Sequence, residues 1–309
     1  MKNTERTFQL GIHTYTLHVN GLGESWGYKN VEEYEWRNKK SIDLWQLMDL
    51  AVEWELDGLD VTNVDLESLD PENLAKVKAA AEDHNLYLEY NCALNSMADP
   101  RINATVKDAL LISKAIGADL AKFSLDIRRP RPIYGSCFHP DVMRQLCDAY
   151  DQFKANISLM EELGIEVSIE NHTETFSDEI LWLVNRLNHP LVGTCVDTIN
   201  SWPVMESPEE CIEKMAPLAN CCHFCDNEIV IDSDGTHFLG VALGTGDIDC
   251  VKALQTLKEK APNLRRITFE VEYKMGDEPL EEARKNEVEL CKNSINYMCN
   301  VLKVGVRNR

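Results

Sequence analysis

The sequence predicts an α/β protein, a single (β/α)8 TIM barrel spanning residues 1–309 as one domain. Three observations lead there. Short apolar runs alternate with longer stretches of helical periodicity, the pattern of a parallel sheet covered by helices. Eight such runs begin near Phe8, Gly58, Leu86, Asp119, Glu166, Leu191, Cys221 and Arg266, and a closed barrel needs eight units where a doubly wound sheet uses five or six. A length of 309 residues is also one that such a barrel routinely takes as a single domain.

Taken in order, the first run opens as Leu10-Gly11-Ile12 and leads into a long connection, about residues 14–40. This insertion holds His18, Gly21, Gly23, Trp26, Tyr28, Tyr34 and Trp36. Connections that follow barrel strands lie on the catalytic face, so it is a candidate lid or partner-docking surface. After the second run, Asp70-Pro71 offers an N-cap followed by proline at the first helical position. The third to sixth runs are each followed by an amphipathic segment. Ser207-Pro208-Glu209-Glu210 then marks another helix start, with a capping-box glutamate. The seventh run leads into a hairpin-like loop at about 226–247, in which Ile229-Val230-Ile231 and His237-Phe238-Leu239 flank a turn expected on Asp234-Gly235. After the eighth run, Val288, Cys291, Ile295, Met298 and Leu302 recur on one helical face, a spacing that packs against a barrel exterior.

Composition narrows the function classes. The chain is 44% hydrophobic and 27% charged, ordinary for a soluble enzyme with a large core. A net charge of -21 and pI near 4.8 oppose nucleic-acid binding, which needs clustered Lys and Arg. Neither a membrane span nor a secretory leader is evident, and the expected compartment is the cytoplasm. Eleven cysteines are present, an odd number that argues against a fully paired disulfide framework. Cys147, Cys195, Cys250 and Cys299 sit in apolar runs, where free thiols behave as small hydrophobes.

The chemistry gathers at the ends of the last four runs. Val167-Ser168-Ile169-Glu170, Thr194-Cys195-Val196-Asp197, Cys221-Cys222-His223 and Ile267-Thr268-Phe269-Glu270 each close on a side chain able to bind a metal. A carboxylate at the end of an apolar strand is costly unless something positive neutralises it. Three converging on one rim with an imidazole therefore call for a cation. Three oxygens and one nitrogen form a fairly hard donor set, suited to Mn²⁺ first, with Mg²⁺, Co²⁺ or Zn²⁺ as alternatives. A single such acid would read as a solvated loop residue or an N-cap; four at successive strand ends reverse that reading. Glu272 shares the parity of Glu270 and is its rival as a ligand. Two apparent motifs carry no weight: Cys222-x-x-Cys225 spans a strand instead of opening a helix, and Gly244-x-Gly246 lacks the third glycine of a dinucleotide fingerprint.

On these residues the sequence resembles the xylose isomerase-like barrels, a superfamily of sugar isomerases, ketose epimerases, inosose dehydratase and endonuclease IV. The matching stretches are Ile169-Glu170-Asn171-His172, Asp197-Thr198-Ile199-Asn200-Ser201, His223-Phe224-Cys225-Asp226, Gly244-Thr245-Gly246-Asp247-Ile248-Asp249 and Phe269-Glu270-Val271-Glu272. The resemblance is strong from about Glu162 onward. It implies that Glu170, Asp197, His223 and Glu270 bind the metal. It also implies proton abstraction beside a sugar carbonyl through a metal-stabilised enediolate, with Glu170 and Glu270 as the acid/base pair and His172 as a second candidate base. His13, Trp26, Asn91, Asn200 and Trp202 are candidate substrate-binding residues, with Glu89 and Lys122 as weaker ones.

Two enzyme readings follow from the same site. The first is an isomerase or epimerase of a free or oxidised sugar, expected to be a homo-oligomer. The second is a lyase similar to the catalytic α subunit of C-glycoside deglycosidases, which acts on 3-oxo-C-glucosides with a small β subunit; the aromatic connection after the first run would stack on a flat aglycone or dock that partner. Endonuclease IV-like cleavage is disfavoured by the acidity and by only eight histidines. A non-enzymatic binding barrel would not need converging carboxylates.

Overall fold

The computed structural model describes residues 6–24, 40–129 and 136–307. Seven strands, β1 (Gln9–His13), β2 (Gly58–Val61), β3 (Tyr87–Ala93), β4 (Leu120–Ser124), β5 (Glu166–Glu170), β6 (Val192–Asp197) and β7 (Ala219–Phe224), are followed by a hairpin of β8 (Asn227–Asp232) and β9 (Gly235–Gly240), then by β10 (Arg266–Phe269). All but the hairpin strands form a closed barrel in the order β1-β10-β7-β6-β5-β4-β3-β2. Every barrel pairing is parallel, and β1 closes the ring by pairing with both β2 and β10. The eight-stranded (β/α)8 architecture is thus the one the alternation of apolar and helical segments predicts.

The outer layer consists of α1 (Leu44–Glu53), α2 (Asn63–Leu66), α3 (Pro71–Asp83), α4 (Val106–Ile116), α5 (Pro140–Ala155), α6 (Ile157–Leu163), α7 (Ser177–Leu187), α8 (Pro208–Met215), α9 (Cys250–Lys260) and α10 (Leu280–Tyr297). On α5, Val142, Leu146, Ala149 and Phe153 are buried, one helical stripe turned to the sheet. That stripe leaves Cys147 on the exposed face, so this thiol is not the core residue its apolar surroundings imply, whereas half-buried Cys299 packs against the core; no disulfide joins any of the eleven cysteines. The expected face of the last helix carries buried Cys291 and Ile295, and continues into Met298 and Leu302 of a π-helical turn. Pro71 and Pro208 take the first helical positions as expected, but neither Asp70 nor Ser207 makes a side-chain cap. The Asp70 carboxylate instead accepts from the Ser68 hydroxyl at 2.8 Å. Among the described residues no helix is long and apolar enough to cross a membrane.

Strand alternation divides the sheet into an apolar outer face and a polar inner one. On β3, Leu88, Tyr90 and Cys92 join the main core with the helices. Tyr87, Glu89 and Asn91 occupy the intervening positions and meet groups from across the barrel. The Tyr87 ring fills the space left by two glycines, because a Cβ at Gly11 or Gly58 would overlap it. The Arg266 guanidinium lies 4.3 Å above that ring and donates to Asp119 at 2.5 and 3.0 Å and to Glu89 at 3.3 Å. This end of the barrel is a packed ionic plug, and the open chemistry is at the other.

Three buried carboxylates pin the connections around the mouth. Asp226 accepts from the backbone N–H groups of Gly244 and Gly246 at 2.9 Å and of Ile248 at 3.1 Å, curling the glycine-containing segment over the end of β7. Glu287 on α10 accepts from Val19 N at 2.8 Å and Asn20 N at 3.0 Å. Asp65 accepts from the Thr14 hydroxyl and Gly23 N, both at 2.7 Å. The start of the first connection is therefore anchored; Trp26, Tyr28, Tyr34 and Trp36 lie outside the described residues. In the hairpin, Asp232 pairs with Gly235, so the two-residue turn is Ser233-Asp234, one residue earlier than the expected Asp234-Gly235. Gly235 opens β9 at a φ of +132°, a conformation other residues avoid.

Candidate metal centre

The four side chains singled out at strand ends meet at one point of the rim. Glu170 ends β5, Asp197 ends β6, His223 is the penultimate residue of β7, and Glu270 directly follows β10. Barrel closure brings β10 beside β7, so Glu270 reaches its partners from the far side. His223 Nδ1 lies 3.0 Å from Glu170 Oε1 and 3.4 Å from Glu270 Oε2. Ligand atoms of Glu170, Asp197 and His223 lie within 4.8 Å of one another. The exposures are 2% for Glu170, 2% for Asp197, 1% for His223 and 8% for Glu270.

Charge is shared unevenly among these groups. Burial, then Glu170 and Glu270 beside it, push the Asp197 carboxyl up to about 7, because three carboxylates share one desolvated space. Burial also works against charge on Glu170, but Lys122 and His223 outweigh it and hold Glu170 well below the usual carboxylate range. For Glu270 the opposing effect of burial is overcome by His13 and His223, leaving it at about 2. A divalent cation held by Glu170, Asp197, His223 and Glu270 would satisfy all four, and the donor chemistry fits a hard divalent ion.

The supporting contacts sort the four. His223 Nε2 lies 2.9 Å from Asp60 Oδ2, which commits that nitrogen and leaves Nδ1 toward the glutamates, the carboxylate–histidine pairing typical of metal sites. Lys122 Nζ donates to Glu170 Oε2 at 2.7 Å. Asp197 Oδ1 accepts from Ile199 N at 2.8 Å and Asn200 N at 2.9 Å. The Asn171 side chain brackets the Asp197 backbone, accepting from its N–H at 2.8 Å and donating to its carbonyl at 3.0 Å. His13 Nδ1 stands 3.7 Å from Glu270 Oε1 and Asn91 contacts the other nitrogen of the same ring.

A small pocket of about 30 Å³ opens above these groups, lined among others by His13, Asn91, Lys122, His172, Asn200 and Glu272. His172 is on the wall, its Nδ1 2.7 Å from Glu174 Oε2 and 3.6 Å from Asp126 Oδ1. Burial opposes its charge, but Glu174, Glu170 and Asp126 prevail and raise it to about 10. Burial and the charges of Glu270 and Asp197 push the rival Glu272 up to about 8; it lies one alternation further out and accepts from Asn227 at 3.3 Å.

Of the candidate sugar-binding residues, His13, Asn91 and Asn200 line this space. Trp202 stacks on Phe238 of the hairpin at 5.4 Å and lines a separate groove with α8 and α9. Trp26 lies outside the described residues. Glu89 belongs to the ionic plug. Sequence reasoning missed Asp60, although its position, an acid alternating with Leu59 and Val61, is the signal that identified Glu170. It also missed Asp126 and Glu174, which lie in loops where parity gives no guide.

The profile of the xylose isomerase-like TIM barrel family matches residues 48–294 of this chain. A curated relative, 3-oxo-isoapionate decarboxylase of Pectobacterium atrosepticum, is 25% identical over 236 residues, covering 75% of this chain and 78% of its own. Among solved structures, D-psicose 3-epimerase with D-tagatose from Clostridium cellulolyticum H10 superposes with a TM-score of 0.65 at 15% identity over 96% of this chain and 99% of that one. The IOLI protein with a zinc atom bound superposes with a TM-score of 0.62 at 15% identity, covering 93% and 98%. At those identities the two structures share the fold.

Proposed function

The chain belongs to the xylose isomerase-like TIM barrel family, and from that premise we propose that it is a divalent-metal-dependent isomerase or epimerase that abstracts a proton beside a sugar carbonyl. The observation that carries this reading is the convergence on His223 Nδ1 of Glu170 at 3.0 Å and Glu270 at 3.4 Å, with Asp197 in the same cluster. Manganese is the ion we assign to Glu170, Asp197, His223 and Glu270, since three oxygens and an imidazole favour a hard cation. When bound, the ion supplies Lewis-acid polarisation of the carbonyl and its neighbouring hydroxyl.

The chain's own residues do the rest. Glu170 and Glu270 approach His223 from different strands and both stay ionised, so each can accept a proton from the sugar and return it. Lys122 fixes the Glu170 carboxylate and limits it to one orientation. His172, braced by Glu174 and Asp126, is a second proton carrier facing the same space. Asn91 and Asn200 offer amides to sugar hydroxyls, and His13 stands between Asn91 and Glu270, its Nδ1 accepting from Tyr15 N at 3.2 Å. We expect a cytoplasmic homo-oligomer.

The test is solvent deuterium exchange into a panel of ketoses and 3-oxo sugars, using full chain loaded with Mn²⁺. Exchange reports proton abstraction whatever product follows. We expect exchange into at least one sugar, and its loss by ~100-fold or more in Glu270→Gln, within the usual reach of general base catalysis. No exchange with any sugar, in protein that binds Mn²⁺, would sink the proposal.

A second reading, a lyase that breaks a carbon–carbon bond through the same proton-abstraction site, is favoured by the 3-oxo-isoapionate decarboxylase relative. Fragment or CO₂ release from a 3-oxo sugar distinguishes it. In its C-glycoside deglycosidase form, the chain alone would be inactive on ordinary ketoses and would cleave an oxidised C-glycoside once a small β subunit was added.

A further inference from the structure

Beneath the four mouth residues the barrel interior carries two thiols. Cys195 on β6 and Cys221 on β7 are partners in the parallel register. Each lies two residues before a mouth side chain, Asp197 or His223, so alternation turns both inward. They pack with Leu120 as a small buried group apart from the main core. A sulfur of each and one nitrogen of His223 all lie within 4.8 Å of one another. On neighbouring β5, the buried Ser168 hydroxyl has no hydrogen-bond partner among the described residues, so the interior here is not a closed polar network.

Two thiols and an imidazole select differently from the mouth. Thiolate donors favour zinc, cadmium or copper(I), whereas carboxylates favour manganese and magnesium. We propose that Cys195, Cys221 and His223 form a second metal site, one layer below the mouth, that takes a thiophilic cation. With Nε2 committed to Asp60 at 2.9 Å, His223 has Nδ1 alone to give, and one nitrogen cannot serve two ions. Occupancy of the two sites is therefore exclusive. Binding forms two metal–sulfur bonds and one metal–nitrogen bond, and the two thiol protons leave to solvent with no change of oxidation state. A soft ion in the lower site withdraws His223 from the mouth and blocks the hard ion there.

The experiment uses metal-free full chain titrated with Cd²⁺ and needs no substrate, so its outcome is independent of the sugar reading. Thiolate-to-cadmium charge transfer gives an ultraviolet band that carboxylate ligation does not. We expect the band to saturate at one equivalent, to fall by roughly half in Cys195→Ser and in Cys221→Ser, and to vanish in the double variant, as two thiolates per ion require. Cys147→Ser and Cys211→Ser should keep it. A second measurement covers misfolding of the double variant: in wild-type protein holding Mn²⁺, one equivalent of Cd²⁺ should release Mn²⁺, read from its free-ion paramagnetic resonance signal, as the band grows. A band that survives undiminished in the folded double variant, or Mn²⁺ release with no band, overturns the proposal.

Discussion

Replacing Lys122 with methionine isolates the charge balance on which the mouth depends. Lys122 Nζ sits 2.7 Å from Glu170 Oε2, and the side chains are 5% and 2% exposed, so solvent screens the pair little. Methionine keeps much of the length and apolar stem while removing the charge. Breaking one side of a buried pair costs about 3–5 kcal/mol, since the remaining carboxylate is left uncompensated. At about 2 °C per kcal/mol, the low end of the range for large domains, the metal-free variant should melt roughly 6–10 °C below wild type. A divalent ion restores positive charge beside Glu170. Adding Mn²⁺ should therefore raise the melting temperature of Lys122→Met by several degrees more than that of wild type, beyond the ~2.7 kcal/mol that a hundredfold excess over Kd gives any binder. Calorimetry with and without Mn²⁺ measures both quantities. An unchanged melting temperature in the metal-free variant, or a deficit equally large with Mn²⁺ present, would refute the assignment of Glu170 as a charge shared between Lys122 and the ion.

Other parts of the structure give sharper single tests. Asp60→Asn, which removes the carboxylate 2.9 Å from His223 Nε2, should weaken Mn²⁺ binding by ~10–100-fold, measured by titration calorimetry; unaltered affinity would show that the pairing does not orient the imidazole. Gly58→Ala places a Cβ against the Tyr87 ring and should destabilise by about 1–3 kcal/mol in urea unfolding, with part of the loss recovered when Tyr87 is also shortened; an additive double variant argues against that contact. Burial raises Glu89 to about 7, with Arg266 opposing. Between the ordinary value near 4.5 and 7, folded Glu89 therefore holds a proton that unfolded Glu89 has lost. The stability this group contributes is present in acid and is lost as pH rises across that window, by up to ~1.4 kcal/mol per pH unit. Glu89→Gln should accordingly gain on wild type as pH rises from 4.5 to 7, and a flat difference in unfolding free energy would count against a protonated Glu89.

Much of this molecule is legible along the chain because its information is local. Eight apolar runs separated by amphipathic segments dictate eight βα units, and the polar residue closing each of the last four runs marks Glu170, Asp197, His223 and Glu270. These need only strand parity and the cost of burying a charge. Elsewhere the chain marks a position but not its contacts: Pro71 and Pro208 begin helices without side-chain caps beside them, and Cys147 belongs to an apolar stretch yet faces out. Helical phase decides such cases, and one residue of phase changes the face.

What only the tertiary structure decided is which distant groups meet inside the ring. Asp60 and His223 are 163 residues apart, and β10 comes to rest between β1 and β7. Lys122 meets Glu170, Cys195 meets Cys221, and Trp202 turns to Phe238 for the same reason. Closing a sheet staggers its strands, and that stagger sets which inward side chains share a layer. Local sequence fixes which residues point inward; the closure of the barrel fixes their neighbours.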